Sequence, residues 1–155
     1  MADQIVIRPL QAQDRPFILS LSPRLAEVAK LSWHDDDVIQ KMQDDYIIAM
    51  LEQTDVPCLT LVAKSNDILL GFIHMSQHQD SISAELCATV PLLAVAPSAQ
   101  GQGVGKLLIA EAETWAKEKN YRLLHLEVFA NNTKAHDFYQ HIGFKDETLH
   151  MIKTL

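Results

Sequence analysis

The sequence is poor in the residues that mark unusual protein classes. Its 155 residues include only 5 Gly, 6 Pro and 2 Cys, and aromatic residues make up 6%. So little Gly and Pro excludes collagen-like and low-complexity chains, and the two cysteines, Cys58 and Cys87, lie in separate apolar runs and form no metal-binding or redox pair. No run reaches the roughly 18 apolar residues that a membrane span needs. With 48% apolar residues, we expect one compact domain over residues 1–155.

Positive charge is also scarce. The chain has 13 Lys and Arg against 20 Asp and Glu, which gives a net charge of −7 and argues against non-specific binding to nucleic acid. Residues 1–80 contain most of the excess acid, with six basic and twelve acidic side chains; these favour a cationic partner if they face a cleft, and otherwise form a solvated face. Charges interrupt the first 21 residues, so we expect no secretory leader and a cytoplasmic protein with reduced cysteines.

The spacing of apolar residues predicts a mixture of helices and strands. The predicted elements are a strand at 5–7, helices over 14–30 and 35–52, a hairpin of 58–63 with 68–75, a strand over 84–96, a helix over 107–119, a strand over 124–129, a helix over 131–141 and a strand over 144–153. Pro91 lies inside the strand at 84–96, and since proline cannot donate to a ladder, we expect a bulge or interrupted pairing there. The order predicts an α/β or α+β fold with a mixed central sheet.

Three glycines at 101, 103 and 105 precede the helix that starts near Leu107. Without Cβ atoms the backbone can approach a ligand, and the free N–H groups of a helix start attract anions. Spacing excludes two familiar phosphate loops: a Walker A loop would need Gly at Gln100 and Ser or Thr at Leu107, and a dinucleotide fingerprint would need Gly at Lys106. The alternative is that the glycines only form a tight turn between strand and helix.

Two motifs resemble those of a known family. The segment Gln100-Gly101-Gln102-Gly103-Val104-Gly105, after an apolar strand, is similar to the coenzyme-binding loop of GNAT acetyl-CoA-dependent N-acetyltransferases. Asn132-x-x-Ala135-x-x-Phe138-Tyr139-x-x-x-Gly143-Phe144 resembles the second motif of that family. The resemblance covers roughly residues 84–147, and before this region only the order of elements is similar.

The resemblance implies a fold and a co-substrate. The implied fold is a mixed sheet of about six or seven strands with about four helices, splayed between the fourth and fifth strands to admit coenzyme A. By resemblance, the backbone of Leu93 and Val95 pairs with the pantetheine arm, and Asn132 contacts the coenzyme as well as capping a helix. The implied diphosphate-binding residues are Gln100, Gly101, Gln102, Gly103, Val104, Gly105 and Lys106. A metal ion is not expected.

The same resemblance suggests which residues act in acetyl transfer. Tyr139 takes the position of the general acid that protonates the coenzyme thiolate, and a backbone N–H near Leu92 or Leu93 could stabilise the oxyanion. Glu127 takes the position of a proposed base in ribosomal-protein N-acetyltransferases. Other family members carry a glutamate where this chain has Thr89, which leaves a water chain ending at Glu85 or Glu127 as an alternative.

The expected function is direct transfer of the acetyl group of acetyl-CoA to a primary amine in a ternary complex. The alternative is a silent module that binds acyl-CoA and catalyses nothing. The sequence does not identify the amine, and it leaves the oligomeric state open, with a homodimer among the options. Phe17, Trp33 and Tyr46 either line an acceptor pocket or belong to the core, and aromatic residues at helical spacing favour the core.

Overall fold

A five-stranded mixed sheet lies at the centre of the molecule. The structure is a computed structural model that describes residues 3–155. Its strands are β1 Ile5–Pro9, β2 Cys58–Ser65, β3 Ile68–Gln79, β4 Leu86–Val95 and β5 Leu124–Leu126. They lie in the order β1-β2-β3-β4-β5, with the first four antiparallel and β5 parallel to β4. The predicted mixed sheet is confirmed, whereas the predicted six or seven strands are wrong for the described residues.

Four helical units surround the sheet, and the first of them is broken. The helices are α1 Arg15–Ser20, α2 Ser22–Glu27, α3 Asp36–Leu51, α4 Val104–Glu118 and α5 Thr133–His141, with 3₁₀ turns at Ala12–Asp14 and Pro97–Ala99. The single helix predicted over 14–30 is therefore wrong. Pro23 lies in the first turn of α2, and because it has no N–H to continue the helical ladder, the chain starts a new helix there.

The two faces of the sheet carry different helices. On one face His74 of β3 lies 2.9 Å, from Nε2 to Oε1, from Gln53, which follows α3. On the other face Gly71 meets α4: a Cβ at Gly71 would lie 3.4 Å from Cγ1 of Val104 and only 2.7 Å from the carbonyl oxygen of Ala94. We call these the α3 face and the α4 face.

A register shift separates the two ends of β4. Leu92 lies opposite His74, but Thr89 lies opposite Ser76, so β4 takes three steps where β3 takes two. The predicted irregularity at Pro91 is confirmed. Directly paired residues share a face, and β3 pairs regularly with β2 across this stretch. Thr89 therefore lies on the α3 face, as Leu92 does.

The C-terminal segment differs from its prediction. Residues 144–153 contain no strand, and residues 145–155 are all exposed. Phe144 is tied down, since its N–H donates to the carbonyl oxygen of Tyr139 at 2.9 Å, but β5 has only three residues and offers little edge to a further strand. The strand predicted over 144–153 thus finds no partner among the described residues, and a strand without a partner leaves its backbone groups unpaired.

Candidate active site

The glycine turn leads directly into α4. Gly101 and Gly103 have φ of +78° and +77°, and Gly103 is the N-cap of α4. Side chains strongly disfavour this left-handed conformation, so glycine is required here for the turn itself. Val104 is 1% exposed and anchors the helix start in the core, while Gly101 and Gly103 remain exposed. The turn therefore presents a backbone surface to solvent at the positive end of a 15-residue helix.

β4 and β5 separate just before this turn. Their parallel pairing joins Ala88–Val90 to Leu124–Leu126 and ends there. From Leu92 to Val95, β4 stays paired with β3 on one side and has no strand beside it on the other side among the described residues. Leu93 and Val95 lie in this open stretch, as the resemblance implies. A strand edge of this kind can pair with an extended amide chain.

Tyr139 lies on α5, next to Phe138, whose ring packs over Gly105 in the first turn of α4. The Tyr139 ring packs edge-on against the ring of Phe144, with centroids 5.7 Å apart. The ring of Phe138 is tilted, with its centroid 5.3 Å from that of Tyr139. Burial raises the pKa of Tyr139 to about 12, so the phenol stays protonated at neutral pH and can donate a proton. At the start of α5, Asn132 accepts the backbone N–H of Ala135 at 3.4 Å, which confirms its predicted role as N-cap.

Glu127 lies just beyond β5 and is exposed. The pKa of Tyr46 on α3 is raised, mainly by burial and secondarily by the negative charge of Glu127. The loop after β5 is also tied to the N-terminal half, because Nδ2 of Asn131 donates to the carbonyl oxygen of Lys30 at 2.8 Å. Glu127 therefore lies on the side of the sheet that carries the N-terminal helices.

Glu85, the alternative end point of a water chain, is engaged elsewhere. It forms an ion pair with Arg122 and accepts the hydroxyl of Ser83 at 2.8 Å. These contacts, with Arg122 first, lower the pKa of Glu85. A carboxylate stabilised in this way is a poor proton acceptor, so the geometry favours groups on β5.

The aromatic residues of the N-terminal half divide into two kinds. Phe17 packs against the core. Trp33 and Tyr46 are 40% and 39% exposed, so the interpretation of these two as core residues is wrong. Each presents a ring on the α3 side of the molecule, where side chains can still contact a ligand.

Sequence reasoning missed one pair of residues near the site. Asp80, in the turn between β3 and β4, is 3% exposed, and its Oδ1 lies 3.1 Å from Nε2 of His125 on β5. The two residues are far apart in sequence, and no pattern connects them. Alternation along β5 could have shown only that His125 faces away from Leu124 and Leu126.

Two classes of site and segment are not found among residues 3–155. No group of three or more His, Cys, Asp or Glu side chains is arranged to hold a metal ion. None of the helices in this range combines the length and hydropathy that crossing a bilayer requires.

Comparison with known proteins assigns the family. Residues 23–144 match the Acetyltransferase (GNAT) family, and the chain belongs to this family. It is 34% identical over 124 residues to a mycothiol acetyltransferase of Jonesia denitrificans, covering 77% of this chain and 38% of that protein. It is 27% identical to the uncharacterized N-acetyltransferase YhfO of Bacillus subtilis, covering 57% of this chain and 59% of that one. The chain spans about two fifths or less of the mycothiol acetyltransferases that it matches.

Solved structures have the same fold. A putative acetyl transferase from Pyrococcus furiosus superposes with a TM-score of 0.80 at 23% identity, covering 98% of this chain and 100% of that chain. The aminoglycoside N-acetyltransferase AAC(6')-Iy in complex with CoA gives a TM-score of 0.71 at 20% identity, covering 99% and 97% of the two chains. At these identities the likeness concerns the fold alone.

Proposed function

We propose that this protein transfers the acetyl group of acetyl-CoA directly to a primary amine. The observation that carries the proposal is the course of β4, which leaves β5 after Val90 and runs with one open edge into the glycine turn. An extended pantetheine chain fits such an edge, and a diphosphate fits the exposed N–H groups at a helix start. The family assignment and the CoA complex of a fold neighbour support this reading.

The coenzyme contacts proposed here are mainly backbone contacts. Leu93 and Val95 would pair with the pantetheine amides. Asn132, at the start of α5, would contact the coenzyme beside its role as cap. The diphosphate would lie against the turn formed by Gln100, Gly101, Gln102, Gly103, Val104, Gly105 and Lys106.

Transfer requires a neutral amine and a protonated leaving group. The amine nitrogen attacks the thioester carbonyl, a C–N bond forms, and the oxyanion collapses with cleavage of the C–S bond. Tyr139 gives its proton to the departing thiolate; with its pKa raised to about 12 by burial, the phenol is protonated at neutral pH, and the developing negative charge on sulfur draws the proton across. Glu127, on the acceptor side of the sheet, attracts the ammonium and is the proposed carboxylate for its proton.

Direct transfer can be tested with a panel of amines. The native protein is titrated with acetyl-CoA by calorimetry, and free thiol is followed in the presence of spermidine, lysine, sisomicin or an alanyl peptide. We expect binding, and thiol release that depends on the amine. Binding with no thiol release from any amine would favour the silent acyl-CoA module, and no binding by folded protein would overturn the coenzyme assignment.

A further inference from the structure

The pair of Asp80 and His125 lies at the point where β4 and β5 separate. His125 is opposite Thr89 in the parallel register, one residue before the last pair, Val90 and Leu126. Thr89 lies on the α3 face, and paired residues share a face. The imidazole therefore projects from the same face as α3, beside the position where other members of the family carry a glutamate.

Asp80 is held firmly in its turn. Its Oδ2 accepts the N–H of Ser83 at 2.7 Å, the Ser83 hydroxyl at 2.9 Å and the N–H of Ile82 at 3.1 Å. These bonds, with Ser83 first, lower the pKa of Asp80, and the group stays ionised. Its other oxygen, Oδ1, lies 3.1 Å from Nε2 of His125. A buried carboxylate fixed in this way attracts the Nε2 edge of the imidazole and so orients the ring, with Nδ1 on the side away from Asp80.

The surroundings of His125 contain few competing charges. The ring of His78 on β3 lies 5.5 Å away, centroid to centroid, and is tilted by 58°. Glu127 follows two positions later in the chain, just beyond β5, and the thiol of Cys87 on β4 donates to the carbonyl oxygen of His78 at 3.4 Å. Glu85 is already paired with Arg122. The His125 side chain is 25% exposed, so water and a ligand can reach it.

We propose that His125 is the proton acceptor for the acceptor amine, with Asp80 as its positioning residue. This inference rests on the proposed function. The acceptor ammonium gives one proton to Nδ1 of His125, directly or through one water, and the neutral nitrogen then attacks the thioester. The second N–H proton leaves after the C–N bond forms and restores the phenol of Tyr139, which has protonated the thiolate. The imidazolium returns its proton to solvent, so that each turnover releases one proton.

An imidazole suits this step better than a solvated carboxylate. A general base works best when its affinity for protons matches the working pH, and histidine meets this condition near neutrality. With His125 as the base, Glu127 no longer takes the proton of the ammonium and contributes only by attracting it. Thr89 cannot accept a proton at neutral pH, and the imidazole beside it supplies the base that the threonine lacks.

The test compares three single variants in the full-length chain. His125→Gln keeps a polar side chain without a titratable ring, Asp80→Asn keeps the shape of the positioning residue, and His78→Gln is the matched control for loss of a neighbouring imidazole. The acceptor is whichever amine of the panel above turns over fastest with the native protein. The readouts are the pH profile of kcat, KM for the amine and the calorimetric Kd for acetyl-CoA.

We expect His125→Gln to lower kcat about 10- to 10³-fold at pH 7 with an unchanged Kd for acetyl-CoA. Activity should recover as pH rises, because a larger fraction of the amine is then already neutral, and the acid limb of the profile should therefore move from its native position up to the pKa of the amine. Asp80→Asn should give a smaller loss and a shifted acid limb, and His78→Gln should behave as the native protein.

Three results would overturn the inference, and two of them leave the proposed function intact. If the native protein releases no thiol with any amine, the proposed function fails and this inference fails with it. If the native protein is active but His125→Gln keeps its kcat and acid limb, only the role of His125 fails. If His125→Gln loses kcat without any change in the pH profile, His125 is not the proton acceptor, and a lowered melting temperature would show that its role is structural.

Discussion

The two halves of the proposed site differ in the groups that form them. The proposed coenzyme half consists of the open edge of β4 and the glycine turn, where backbone N–H and C=O groups provide the surface. The proposed acceptor half consists of side chains from separate elements, such as Tyr46 on α3, His125 on β5 and Glu127 just after it. A backbone site must be encoded by residues that shape the chain locally. A side-chain site is assembled by the fold, and its residues can lie anywhere in the sequence.

The largest effect should come from Tyr139, which lies where the two halves meet. Tyr139→Phe should lower kcat about 10- to 10³-fold, because the ring remains while the proton for the thiolate is lost. The Kd for acetyl-CoA should change little. Stopped assays with thiol detection give kcat, and calorimetry gives Kd. Undiminished turnover would remove Tyr139 from the reaction.

A second test concerns the imidazole buried under the acceptor half. His74 is 1% exposed; its Nδ1 lies 2.7 Å from Oγ1 of Thr60 and its Nε2 lies 2.9 Å from Oε1 of Gln53. Burial lowers the pKa of His74 from 6.5 to about 4. The unfolded chain therefore binds the proton first, so stability should fall as pH drops from 6.5 towards 4, by up to about 3 kcal/mol.

Urea unfolding at a series of pH values measures this loss. The control is His78→Gln, which removes an exposed histidine on the same strand and should keep the slope. His74→Gln should be less stable at pH 7 and should lose part of the slope. An unchanged slope in His74→Gln would show that other groups cause the acid sensitivity.

The coenzyme half can be broken at the backbone alone. Gly103→Ala adds a methyl group that meets no atom within 4 Å but must adopt a φ of +77°. We expect the exposed turn of the free variant to relax out of this conformation, so that re-forming it on binding costs about 1–2 kcal/mol and raises the Kd for acetyl-CoA roughly 5- to 30-fold.

Gly143→Ala is a matched control for this variant. Gly143 also has positive φ, +109°, and open space around its Cβ, but it lies at the end of α5. It should lose stability without losing affinity for the coenzyme. Equal losses of affinity in both variants would contradict a specific role for the turn.

The smallest effect should come from the acceptor half. Tyr46→Leu keeps an apolar side chain on α3 but loses a ring and hydroxyl that are 39% exposed. We expect KM for the amine to rise about fivefold, corresponding to loss of a contact worth about 1 kcal/mol, with kcat and the Kd for acetyl-CoA nearly unchanged. A changed coenzyme affinity would show that the two halves are not separate.

The same contrast explains how far the sequence predicts the structure. Pro91 indicates the irregularity in β4, and the glycines at 101 and 103 indicate the turn, because each residue acts on its own backbone. Pro23 likewise indicates the break between α1 and α2, but the helical spacing of apolar residues on both sides of it favours one continuous helix.

What the sequence could not predict depends on partners elsewhere in the chain. A strand is predicted over 144–153, but a strand exists only where an edge is free to pair, and β5 offers three residues. The proximity of Asp80 and His125 arises only after β3, β4 and β5 assemble. Exposure of Trp33 and Tyr46 likewise depends on which helix face the sheet covers.

The extra residue in β4 determines which face of the sheet carries the side chain of Thr89 and that of His125 beside it. In a strand of strict alternation, Leu92 and Thr89 would point in opposite directions; here they point the same way. Removing one residue at Val90 or Pro91 would restore strict alternation and turn Thr89, together with His125 beside it, towards α4. A single extra residue in β4 therefore determines whether these side chains lie on the face with the N-terminal helices or on the face with α4.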